Sequence, residues 1–134
     1  MSTMIYSAFK RGGAVKKGSI LDNLPYTMLE LKKHLELQFE PWMTWENRGK
    51  FNPEMHDQNP TWQIDHIIPQ SFFNFYSYTD KNFKMCWSLK NIRPLDSKLN
   101  ILKKDKIENP GLISILEKEQ EDLEKSKNGD ANEV

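Results

Sequence analysis

A chain of 134 residues is one domain's worth of protein, and 37% hydrophobic content, with seven Phe, four Trp and four Tyr, allows a small core only. No run approaches the ~18 apolar residues of a membrane span and no apolar signal stretch opens the chain, so a non-secreted, intracellular protein without a membrane anchor is expected; the single cysteine, Cys86, excludes a disulfide framework and a paired-cysteine structural zinc. Zero net charge is an average of unlike parts: residues 107–134 carry three Lys against eight acids (−5), and the preceding 106 residues carry 16 bases against 11 acids (+5).

Residues 1–26 form a basic N-terminal arm, with room for a short helix before Lys10-Arg11-Gly12-Gly13-Ala14-Val15-Lys16-Lys17-Gly18. That stretch reads equally as a phosphate-contacting arm using Lys16 and Lys17 or as a plain loop. Thr27-Met28-Leu29-Glu30 is a capping-box pattern, and Leu31, Leu35 and Phe39 follow at helical spacing, which predicts a helix over about 28–38. His34 beside that stripe reads as a helix-surface residue rather than a ligand. Pro41, Gly49, Pro53 and Pro60 punctuate an irregular segment, with Trp42 and Trp45 as anchors onto the core. Within it, His56-Asp57 has no strand to hold it and reads as a solvated loop.

Trp62–Ile68 reads as a strand closed by Pro69. Phe72, Phe73, Phe75, Tyr76 and Tyr78 then form an aromatic connection, expected to pack in the core rather than to stack on bases. Phe83, Cys86, Trp87 and Leu89 give a short helical turn with an inward face, and Asn91–Leu95 reads as a second strand. Asp96 or Ser97 can cap a helix over about 97–106, with Leu95, Leu99 and Leu102 on the face toward the strands and Asn100 and Lys103 on its flank. Asn109-Pro110 starts a last amphipathic helix, and a disordered polar tail is expected from about residue 125.

The most informative stretch is Trp62-Gln63-Ile64-Asp65-His66-Ile67-Ile68-Pro69. A carboxylate and an imidazole inside an apolar run cost free energy unless a partner satisfies them. Such a pair reads either as the solvated face of a strand or as a hard oxygen ligand beside a base, the makings of a metal-assisted hydrolytic site. An imidazole of ordinary pKa near ~6.5 suits the deprotonation of water, which makes His66 the candidate general base. Asp65 and Asn100 are oxygen donors suited to one hard divalent ion, Mg²⁺ first and Mn²⁺ second. Lys103 and Arg93 are candidate phosphate contacts. Adjacent strand residues face opposite ways, so an irregularity is expected: the strand ends or bulges at the pair, or the pair straddles its edge.

Asp65-His66-Ile67-Ile68-Pro69, Asn91-Ile92-Arg93-Pro94-Leu95 and Asn100-Ile101-Leu102-Lys103, in this order, resemble the HNH endonucleases of the His–metal finger superfamily, in particular small stand-alone viral HNH proteins. The resemblance covers residues 60–106 and extends loosely back to Thr27. It implies an α+β fold of the ββα-metal type, a hairpin-plus-helix core at about 62–106 with flanking N- and C-terminal helices, in a nuclease domain spanning 27–106; the acidic C-terminal helix and tail read from the sequence occupy 107–134. It implies DNA phosphodiester hydrolysis about a single metal ion, leaving 5′-phosphate and 3′-hydroxyl ends. Asn91 matches the Asn that braces the connecting loop and holds the general base. Asn100 stands where many relatives place a metal-binding His. Many members carry a structural zinc; this chain lacks the cysteines for one. A catalytically silent DNA-binding module and an RNase are the alternative expectations.

Overall fold

Of the chain's 134 residues, the structure, a computed structural model, describes residues 23–132, with side chains to residue 126. The expected arm, with Lys16 and Lys17, lies almost wholly outside the described residues. Helix α1, Met28–Glu36, begins where the capping box places it: Thr27 Oγ1 accepts from the Glu30 amide and Glu30 Oε1 from the Thr27 amide, both at 3.1 Å. Two donors that a helix start leaves orphaned are thereby satisfied. The helix buries Met28, Leu31 and Leu35.

Strand β1, Trp62–His66, pairs antiparallel with β2, Ile92–Asp96, from Trp62↔Asp96 to His66↔Ile92. The chain is α+β, with helices around one two-stranded sheet. A two-stranded ribbon has too little surface to stand alone, and both edges are covered. On the β1 side, the Gly49 amide donates to the Trp62 carbonyl at 2.9 Å. On the β2 side, His34 Nε2 lies 2.8 Å from the Ile92 carbonyl oxygen. His34 is therefore a pin between α1 and β2, not the surface residue that helix amphipathicity predicts. Its partner is 58 positions away, beyond the reach of a periodicity argument.

Aromatic packing supplies much of the core. Phe39, Trp45 and Trp62 meet with centroids 5.0 to 5.3 Å apart, and Trp62 Nε1 donates to the Thr44 carbonyl at 2.7 Å. Trp45 thus anchors its loop as expected. In the 67–91 connection the aromatics divide. Phe73 is buried and Phe75 packs on Phe83, whereas Phe72 is half-exposed and Tyr76 fully exposed. Helix α2, Lys81–Cys86, contributes Phe83 and Cys86 to the core, followed at once by Trp87.

Helix α3, Ser97–Lys103, is capped by Asp96, whose Oδ1 accepts from the amides of Lys98 (2.8 Å) and Leu99 (3.1 Å). It stops three residues short of the expected Lys106. Lys104 ends it at φ +51°, ψ −132°, a backbone conformation costly for a side-chain-bearing residue. Its facing also differs from the expectation. Leu99 and Leu102 are 53% and 58% exposed, while Ser97 and Lys103 are the buried positions. The inward face is polar because β1 presents polar groups to it.

Helix α4, Gly111–Asn132, is continuous through the region read from sequence as a tail. Leu112 and Leu116 join the core, and Glu119 accepts from the Ser88 hydroxyl and pairs with Lys90 Nζ at 3.3 Å. The acidic segment is thus packed on the rest of the described residues. No described helix is long and apolar enough to cross a membrane.

Candidate functional site

The candidate residues converge on the end of β1 and the middle and end of α3. Alternation along the strand sends Gln63 and Asp65 one way and Trp62, Ile64 and His66 the other. On the first face, α3 lies along the strand: Asn100 Nδ2 donates to Gln63 Oε1 at 3.1 Å, and Lys103 Nζ donates to Asp65 Oδ1 at 3.3 Å. The same ammonium donates to the His66 carbonyl at 2.8 Å. Arg93, directly across the ladder from Asp65, takes the other oxygen, with Nε 2.8 Å from Oδ2. Its NH2 group also reaches Glu108, 3.2 Å away.

Asp65 and Lys103 are each 5% exposed. A buried carboxylate persists as a charge only beside compensating cations, and Asp65 has two. Lys103 and Arg93, read from sequence as phosphate contacts, thus both stand on the candidate metal ligand. Asn100 lies on the same face; its Oδ1 has no hydrogen-bond partner among the described residues.

On the opposite face, His66 packs edge-on against Trp87, with centroids 4.3 Å apart and planes at 87°. Its Nδ1 lies 2.8 Å from the Cys86 carbonyl oxygen. A carbonyl only accepts, so Nδ1 carries the proton and the neutral ring keeps its lone pair on Nε2. Burial pushes the imidazole pKa down to about 4; the Cys86 hydrogen bond and the Asp65 charge oppose that shift, and the Lys103 charge adds to it. His66 is therefore held neutral, and at about 4 it is a weaker base than the ordinary imidazole near ~6.5 expected from the sequence.

Asn91, wholly buried, ties the two chain segments that hold His66. Its Oδ1 accepts from the Ile68 amide at 2.7 Å, and its Nδ2 donates to the Ile68 carbonyl at 3.1 Å and the Cys86 carbonyl at 2.9 Å. The Cys86 carbonyl is thus shared by Asn91 and His66. Asn91's own carbonyl accepts from the Ile67 amide at 2.8 Å, extending the pairing one step beyond β1.

The expected irregularity is not a bulge. Register is uniform through His66↔Ile92, and the strand ends at that residue. Carboxylate and imidazole occupy opposite faces of the last ordinary strand positions.

His56, read as part of a solvated loop, is buried at 7% exposure, with Nε2 3.0 and 3.1 Å from the two Asp96 oxygens. Burial, the largest single effect on the Asp96 carboxyl, raises its pKa, but the hydrogen bonds from His56 and the α3 amides and the His56 charge together outweigh it and hold the pKa below the ordinary carboxylate value. Phe51 packs edge-on against the His56 ring, at 5.0 Å. The loop is therefore clipped to the cap of the site helix. Its partner lies 40 residues on, and no local pattern announces it. Among the described residues no three His, Cys, Asp or Glu side chains group as a metal cage.

Compared with known proteins, the chain matches no protein-family model, and no solved structure matches. Over 107 residues, 80% of this chain, it is 29% identical to an uncharacterized protein of Acanthamoeba polyphaga mimivirus. The matched region is 41% of that viral protein, so this chain spans about two fifths of the length of its relative.

Proposed function

We propose that the protein is a divalent-metal-dependent endonuclease of the HNH type that hydrolyses DNA phosphodiester bonds, with His66 as general base. The observation that carries the reading is the state of His66: neutral, its Nδ1 committed to the Cys86 carbonyl, its Nε2 lone pair left to take a proton. Asp65, the residue before it, is buried on the other face of the strand. Because the two side chains face opposite ways, one phosphate can meet both only past the end of the strand, which lies at His66.

Asp65 and Asn100 are the residues that would hold the metal ion. Both are hard oxygen donors on the α3 side of β1, and Asp65 already sits where positive charge is drawn to it. Two protein ligands suffice for Mg²⁺, and equally Mn²⁺, because Mg²⁺ keeps several waters and accepts phosphate oxygens. Bound there, the ion supplies charge stabilisation at the phosphate and the departing 3′-oxygen, in keeping with 5′-phosphate and 3′-hydroxyl products. His66 Nε2 receives the proton from the attacking water, while Asn91 holds the Cys86 carbonyl and Ile68 so that the ring keeps one tautomer and one orientation. Arg93 and Lys103 bring positive charge to the phosphate. A viral setting is in keeping with the mimivirus relative.

One observation favours a second reading, a silent DNA-binding module: both Asp65 oxygens are occupied by side-chain cations. Supercoiled plasmid incubated with Mg²⁺ separates the two. Wild type converts it to nicked or linear DNA and His66→Ala slows this by about 10²–10⁴-fold, the usual contribution of a positioned base. Intact plasmid with both proteins, under Mg²⁺ and Mn²⁺, refutes the enzyme reading. RNA and single-stranded DNA in parallel reactions report on the RNase alternative.

A further inference from the structure

A lysine almost wholly shielded from water is rare, because the ammonium is strongly hydrated and its stem flexible. Lys103 is one, donating to Asp65 Oδ1 and to the His66 carbonyl. Its charge therefore stands on the oxygen that a divalent ion at Asp65 would use. Two cations cannot share one carboxylate oxygen without strong repulsion at these distances. Arg93 is held differently, in a fork between Asp65 and Glu108, a planar arrangement that resists displacement. Lys103 is the last residue of α3, where the chain turns out of the helix at Lys104. Its four-carbon stem can swing its head outward without moving the helix.

We propose that Lys103 is an exchangeable counter-ion: it occupies Asp65 in the metal-free protein and gives way to a divalent cation, turning its ammonium out toward the substrate phosphate. This rests on the reading of Asp65 as a metal ligand. It makes metal uptake and exposure of a phosphate-binding charge one event, so metal binding is opposed by Lys103 and nucleic-acid affinity is raised by the metal. Asp65 keeps a positive neighbour throughout, which is the condition for burying it.

Free Mn²⁺ measured by electron paramagnetic resonance, titrated into full-length wild type, Lys103→Met and Asp65→Asn, tests the exchange. Methionine keeps the length and apolar stem while removing the competing charge. Lys103→Met is expected to bind Mn²⁺ about tenfold or more tightly than wild type, and Asp65→Asn to lose the binding. If Asp65→Asn loses binding while Lys103→Met matches wild type or is weaker, the exchange is overturned and the metal site stands. If wild type and Lys103→Met bind no better than Asp65→Asn, the metal reading itself falls and the exchange with it. Acylation of wild type by acetic anhydride, read by mass spectrometry against exposed Lys98, needs no variant to fold. Saturating Mn²⁺ is expected to raise Lys103 labelling severalfold, and unchanged labelling overturns the proposal.

Discussion

Asn91→Ala tests how the general base is held. The side chain makes three buried hydrogen bonds, to the Ile68 amide, the Ile68 carbonyl and the Cys86 carbonyl. Truncation strips the Ile68 amide of its acceptor, and a buried unsatisfied group costs about 1–3 kcal/mol. The Ile68 carbonyl loses its donor as well, whereas the Cys86 carbonyl keeps His66 Nδ1 and suffers less. With the cavity left by a wholly buried side chain, the expected loss is about 3–5 kcal/mol, large against a typical domain stability of about 5–15. In urea, with a slope of about 2 kcal/mol/M, the midpoint falls by about 1.5–2.5 M. Asn91→Asp keeps the acceptor for Ile68 but removes both donations and buries a carboxylate, so it too is strongly destabilising. A loss below about 1 kcal/mol for Asn91→Ala, with an unchanged slope, would falsify the brace. Nitrogen-15 NMR of His66 adds a readout that stability does not supply: wild type shows the Nδ1–H tautomer, and a wild-type ring in the opposite tautomer contradicts the assigned geometry outright.

Stability should fall with acid in a window set by His66. Its folded pKa is lowered to about 4 from an unfolded value of 6.5, so the unfolded chain takes up the proton first. The contribution is complete above the unfolded value and disappears as pH drops from about 6.5 to about 4. Between pH 7 and pH 5 wild type should lose about 2 kcal/mol more than His66→Gln in matched urea titrations; equal losses in the two proteins reject the burial of a neutral ring. Leu116→Ala removes a fully buried side chain of α4 and should cost about 2–5 kcal/mol in one cooperative transition. A variant that instead melts in two steps, with the hairpin unaffected, argues that the acidic helix is a separate unit.

The chain itself determined a good deal of this molecule. The capping box of Thr27 and Glu30, the apolar runs of the two strands, and the Asp96 cap of the following helix are local signals, and each acts over a few residues, so each is legible where it stands. That Asp65, His66 and Asn91 stand on one hairpin, with Asn100 and Lys103 on the helix after it, was readable because the spaced motifs follow in that order. Where long-range partners decide, the sequence is silent. His34 on the Ile92 carbonyl, His56 on Asp96 and Glu108 on Arg93 join residues 58, 40 and 15 positions apart. The leucines of α3 look like its core face by spacing alone, yet the buried carboxylate of Asp65 requires cations, and that requirement turns Lys103 inward and leaves Leu99 and Leu102 outside. Tertiary structure alone decided which charges meet, because an isolated buried ion is so costly that the fold is arranged around its partner.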